Sequence, residues 1–164
     1  MSPFVVMKED HMRDQMEMPK GIFYGIIGIC SLIILSISLE AIIKAKDTTI
    51  FDMWLSKPNL NTAIIGRTIE EKYSTYLSMC MSNFFIRIIT PMGVAIHSYL
   101  TFIKLRVNKL YVIIWTILLI GSFGFSIIGE SFYTIFFLVG SIGYIALILM
   151  ILYLGKCIYN LRSL

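Results

Sequence analysis

Residues 131–155 read SFYTIFFLVGSIGYIALILMILYLG, and no charge occurs between Glu130 and Lys156. A helix of about 20 apolar residues matches the roughly 30 Å hydrocarbon thickness of a bilayer. A stretch of 25 such residues therefore fixes the solvent as lipid and predicts a span over 131–155.

Two further runs share this character. Gly21 to Leu39 and Leu110 to Ile128 carry no charge, which predicts spans over 21–43 and 110–128. A fourth segment is more polar. Only 16 residues separate Arg87 from Lys104, but extension back to Tyr76 gives a helix over 76–103 long enough to cross. Pro91 lies inside it and removes the helical donor for the Arg87 carbonyl, so a kink is expected there.

Composition agrees. Of the 164 residues, 57% are hydrophobic and 15% charged, against roughly 45–50% and 25% in soluble domains. The formal charge of +4 is read as topology-setting rather than nucleic-acid-binding. Lys8, Arg13, Lys20, Lys104, Arg106, Lys109, Lys156 and Arg162 fall on one side, while Lys44, Lys46, Lys57, Arg67 and Lys72 fall on the other. Eight against five predicts both termini in the cytoplasm. The abundance of Ile, Lys, Met and Tyr points to a bacterial source and so to a cytoplasmic (inner) membrane.

The fold class expected is therefore all-α: an integral membrane protein with four transmembrane helices and an amphipathic extracytoplasmic segment over 44–75. The domain plan is a tail over 1–20, a bundle over 21–155 and a second tail over 156–164. In the outer segment Ile50, Phe51, Trp54 and Leu55 share a helical face, and Trp54 is expected at the headgroup belt. After the Lys57-Pro58-Asn59 turn signal, Ile65, Ile69, Tyr73, Tyr76, Cys80 and Phe84 form a stripe. The stripe predicts a helix from Asn61 to Ile103, lying on the protein's own surface or on a partner.

Ionisable residues inside a membrane are costly and hence informative. At about 1.5 Å per residue, Glu40 lies roughly 28 Å up the first helix and Arg87 roughly 24 Å up the second. Glu130 sits at the outer turn. An outer-interface cluster of Glu40, Arg87 and Glu130 is the strongest site candidate, with Arg87 expected to pair with a carboxylate. His97 and Asn83 are the other intramembrane polar candidates. His97 is expected neutral and hydrogen-bonded to Ser or Thr on a neighbouring helix.

Small residues at Gly21, Gly25, Gly28, Gly121, Gly124, Gly140 and Gly143 allow close helix approach. Cys30, Cys80 and Cys157 form no CxxC, and Cys30 and Cys80 are expected to pack as small hydrophobes. In the leader, Met7, Met12, Met16, Met18 and His11 match no defined metal site and suit a surface helix. Walker, HExxH, GxSxG and GxGxxG patterns are absent from the sequence, so no catalytic residue, metal or cofactor is expected. The function expected is non-enzymatic: an accessory, assembly or immunity-type membrane protein. Its partners would be the lipid bilayer and a second copy or another membrane protein. The alternatives are an oligomeric channel, holin-like pore or transporter with Arg87 and His97 near the pathway, and an intramembrane lipid-acting enzyme. On this reading the 131–155 helix is scaffold.

Overall fold

The computed structural model describes residues 16–56, 66–104, 106–127 and 135–162, with side chains through Asn160. Among the described residues five helices follow in order: α1 (Lys20–Lys46), α2 (Thr48–Leu55), α3 (Ile69–Ile103), α4 (Lys109–Ile127) and α5 (Ile135–Arg162). The described residues are 90% helical and contain no strand. Four of the helices (α1, α3, α4 and α5) are long and apolar enough to cross a membrane.

The α1 and α5 stripes make the centre. Ile26, Cys30, Ile33 and Ile37 of α1 and Leu147, Ile151, Leu154 and Ile158 of α5 recur at three- and four-residue steps and are all buried. Val94 of α3 and Leu119 of α4 close the same core. Outward positions are equally apolar: Leu35, Ile89, Ile117 and Ile142 are all exposed. Lipid gives apolar side chains no reason to hide, so packing and backbone satisfaction hold such a bundle together. Gly143 marks a close approach of α5 to α1, since a Cβ there would lie 2.6 Å from Ile33 Cγ1. The opposite contact is softer. A Cβ on Gly25 would meet the flexible end of Met150, its methyl and its sulfur.

At one end, the Met16 N–H donates to the Val107 carbonyl (2.9 Å) and the Val107 N–H to the Met16 carbonyl (2.8 Å). This ties the chain before α1 to the α3–α4 connection. The end of α5 lies there as well, because a Cβ on Gly155 would sit 3.0 Å from Val112 at the start of α4. Residues 16–19 are not helical, and the rest of the leader, including the surface helix expected there, lies outside the described residues.

The 44–75 region departs from expectation in two ways. First, α3 begins at Ile69 rather than Asn61. Gly66 takes a left-handed φ of 85°, and a capping box then starts the helix. The Thr68 side chain accepts from the Glu71 N–H, and the Glu71 side chain accepts from the Thr68 N–H. Second, Trp54, whatever its depth in the membrane, is buried by the protein itself. With Phe51 it packs on Tyr76, while Ile50, Leu55 and Cys80 flank the cluster. The stripe from Tyr73 to Cys80 is thus covered in part by α2, and Ile69 remains exposed. Asp47 caps α2, its carboxylate accepting from the Thr49 N–H at 2.9 Å. Hydrogen bonds from Thr49 hold that carboxyl below its ordinary range.

Candidate functional site: a charged cavity at the α1–α2–α3 end

A proline within α3 places the site. Pro91 has no N–H to give the carbonyl four residues earlier, which belongs to Arg87. Nevertheless α3 remains helical through Pro91. The missing donor comes from α5, where the Tyr144 hydroxyl donates to the Arg87 carbonyl at 3.1 Å. That hydroxyl is also 3.0 Å from the Ser122 hydroxyl of α4. Backbone in a bundle core needs such internal partners.

The Arg87 side chain turns the other way, toward α1. Its Nη1 donates to Glu40 Oε2 at 2.9 Å, and both residues are buried. Glu40 Oε1 lies 2.6 Å from Lys44 Nζ, one turn further along α1. Arg87 therefore links α3 to α1 through its side chain and to α5 through its backbone. Glu130 lies outside the described residues.

The end of α1 needs capping because its last carbonyls have no helical donor. Two tyrosines of α3 supply it. The Tyr76 hydroxyl donates to the Lys44 carbonyl at 2.7 Å and the Tyr73 hydroxyl to the Ala45 carbonyl at 3.0 Å.

Between α1, α2 and α3 lies a cavity of about 300 Å³. Glu40, Lys44, Asn83, Arg87 and Trp54 bring polar groups to it, and Ile37, Ile50, Met53, Met79 and Phe84 supply apolar wall. Trp54 is 4% exposed, and its indole N–H has no acceptor among the described residues. Asn83 is exposed. The cavity is concave and mostly apolar, with a few polar groups, which is the composition of small-molecule sites. No other described helix adds a side chain to it.

His97 is elsewhere. Trp115 of α4 donates its indole N–H to His97 Nδ1 at 2.8 Å, and the imidazole meets the Tyr111 ring edge-on at 5.0 Å. The Ser or Thr partner expected for His97 is replaced by a tryptophan, which reaches across to α3 from the facing surface of α4. The nearby hydroxyls are otherwise engaged: Thr101 donates to the His97 carbonyl, and Ser98 pairs with the Tyr111 hydroxyl. Ten residues of helix, about 15 Å, separate His97 from Arg87, and the Arg87 cavity does not reach it. Among the described residues no group of three His, Cys, Asp or Glu could hold a metal ion.

Comparison with protein-family models, with curated proteins and with solved structures yields no match.

Tyr144, Tyr76, Tyr73 and Trp54 were not expected in these roles. For Tyr144 a signal existed. Pro91 announces an orphaned carbonyl at Arg87, and a hydroxyl in a facing apolar helix is a natural donor.

Proposed function

We propose that the chain is a non-enzymatic, multi-pass accessory protein of the cell membrane that acts by binding, through the cavity at the α1–α2–α3 end. The orientation that goes with this reading puts both termini in the cytoplasm and the cavity at the outer interface. Support for that orientation comes from the chain's basic residues. Those of the α3–α4 connection, the start of α1 and the end of α5 gather at one end of the bundle, away from Glu40. Such an excess belongs on the cytoplasmic side.

One observation carries the binding reading. The cavity joins the buried Glu40–Arg87 pair, with the half-exposed Lys44 on Glu40, to a buried indole N–H that has no acceptor among the described residues. A buried donor without a partner costs stability, so its presence in a cavity wall is best explained by a ligand that completes it. Nothing facing the cavity is an activated nucleophile. Its one thiol, Cys80, has no histidine beside it among the described residues lining the cavity.

The test is photo-crosslinking in cells from p-benzoyl-phenylalanine placed at Met53, which lines the cavity, against the same probe at the exposed Ile117 of α4. A discrete adduct from position 53 and none from position 117, whether to a protein or to a lipid, supports the reading. No adduct from position 53, or the same adducts from both positions, overturns it.

A further inference from the structure

We propose that a second site, a cleft between the start of α1 and the end of α3, binds the phosphate of an anionic phospholipid. Lys20, Lys104 and Arg106 are its cationic ligands. The cleft is separate from the α1–α2–α3 cavity, because 20 residues of α1, about 30 Å of helix, lie between Lys20 and Glu40.

The backbone builds the cleft. The paired hydrogen bonds of Met16 and Val107 hold the chain before α1 against the α3–α4 connection. Glu17, Lys20, Lys104 and Arg106 thereby line one space of about 550 Å³. Phe23 of α1 and Phe102 of α3 stack at 4.2 Å and join the two helices at this level. Three cations thus share a cleft with one carboxylate. Among the described residues Lys20, Lys104 and Arg106 make no ion pair and no side-chain hydrogen bond, and Glu17 makes no ion pair. Like charges held together repel, and an anion placed among them relieves the repulsion. The first turn of α1 has the same sign. Pro19 at its N-cap makes no side-chain cap, the turn carries no acidic residue, and the first helical donor is the Phe23 N–H, to the Pro19 carbonyl.

Depth sets the source of the phosphate. The uncharged run of α1 begins at Gly21, and that of α3 ends at Ile103. Both helices therefore pass from apolar to charged at the cleft, the level at which a leaflet keeps its headgroups. Leu100 and Ile103 of α3 are exposed beside it, a surface along which acyl chains can lie. A freely soluble anion has no use for that surface. The volume of about 550 Å³ corresponds to roughly eighteen waters at ~30 Å³ each, room for a phosphodiester with a small polar substituent. In the orientation proposed above the leaflet is the cytoplasmic one, whose anionic lipids attract Lys and Arg beside a span.

The test offers equimolar phosphatidylglycerol and phosphatidylcholine to the full chain in detergent and reads bound lipid by native mass spectrometry. Phosphatidylglycerol should be retained in preference by about fivefold or more, the factor that one basic residue near a membrane surface supplies. Lys104→Gln with Arg106→Gln should remove the preference and keep the helical circular dichroism, because both side chains are exposed. Lys46→Gln with Arg67→Gln takes the same charge from exposed positions at the other end and should leave the preference intact. Equal retention of the two lipids, or an undiminished preference in the Lys104→Gln, Arg106→Gln chain, overturns the proposal. Equal loss in both double variants also overturns it, because net charge and not the cleft would then select the lipid. Displacement of the lipid by millimolar inorganic phosphate overturns it too, assigning the cleft to a soluble anion. Each of these failures leaves the binding reading of the α1–α2–α3 cavity standing, since the position-53 adduct forms at the opposite end.

Discussion

The Tyr144 hydroxyl replaces a backbone donor that Pro91 takes away from Arg87. It donates to the Arg87 carbonyl at 3.1 Å, across from α5 to α3. Tyr144→Phe keeps the ring and leaves that carbonyl without this donor, which should cost about 1–3 kcal/mol. Pro91→Ala restores an N–H at the right place. The pair should therefore be coupled: the Tyr144→Phe penalty should shrink to a few tenths of a kcal/mol, the range of near-additive distant sites, when Pro91 is alanine. Thermal unfolding of the four proteins in one detergent checks this, and equal penalties in both backgrounds would refute it.

The Glu40–Arg87 pair behaves differently when broken than when removed. Glu40→Leu strips Arg87 of its 2.9 Å partner in a buried setting and should destabilise by about 3–5 kcal/mol. Glu40→Leu with Arg87→Leu removes both charges and should recover most of that loss, because apolar side chains often replace a buried pair at no cost. Unfolding midpoints for the single and double variants test the difference.

Close packing of α1 on α5 depends on Gly143. A side chain there meets the branched Ile33, which cannot swing aside as Met150 can from Gly25. Gly143→Val should cost about 1–3 kcal/mol, as overpacking does, and Ile33→Ala in the same chain should relieve part of it. Gly28→Ala, with nothing within 4 Å, should be silent. Thermal stability of these variants is the measurement.

Acid should loosen α2 before the long helices. The Asp47 carboxyl is held below its unfolded value by Thr49, so its contribution to α2 is complete above the ordinary carboxylate range and is lost as the pH falls through the lowered value. Amide hydrogen exchange in 48–55 should therefore rise at low pH in the native chain. Asp47→Asn, which still caps but does not titrate, should abolish that pH dependence.

Three of the four long helices were legible because a span needs only length and apolar content, and the runs ending at Leu39, Ile128 and Gly155 supply both; the more polar α3 was legible only by extension back to Tyr76. The Glu40–Arg87 juxtaposition was legible too, because helical rise converts sequence separation into depth. What hid was everything that depends on which face turns inward. Tyr144 sits in a strongly apolar helix, where a tyrosine reads as filler, and only the packing of α5 on α1 and α4 shows its hydroxyl at Arg87. The stripe from Tyr73 to Cys80 reads as lying on the protein's own surface or on a partner, and only the fold-back of α2 shows that part of it is a self contact. The start of α3 could have been read, since Thr68-Ile69-Glu70-Glu71 carries the capping-box spacing. The stripe around Ile65 masked that signal by suggesting that the helix had already begun.

The central claim is that the buried charges at the α1–α2–α3 end serve binding and not only the fold. The most direct test is the yield of the position-53 photo-adduct in the chain carrying Glu40→Leu and Arg87→Leu together. That variant should fold, and the adduct formed by the native cavity should fall by about tenfold or more, as expected on removal of a charged anchor worth roughly 1.4 kcal/mol or above. An undiminished adduct in a folded double variant would contradict the claim and leave the charges as a device of helix packing alone.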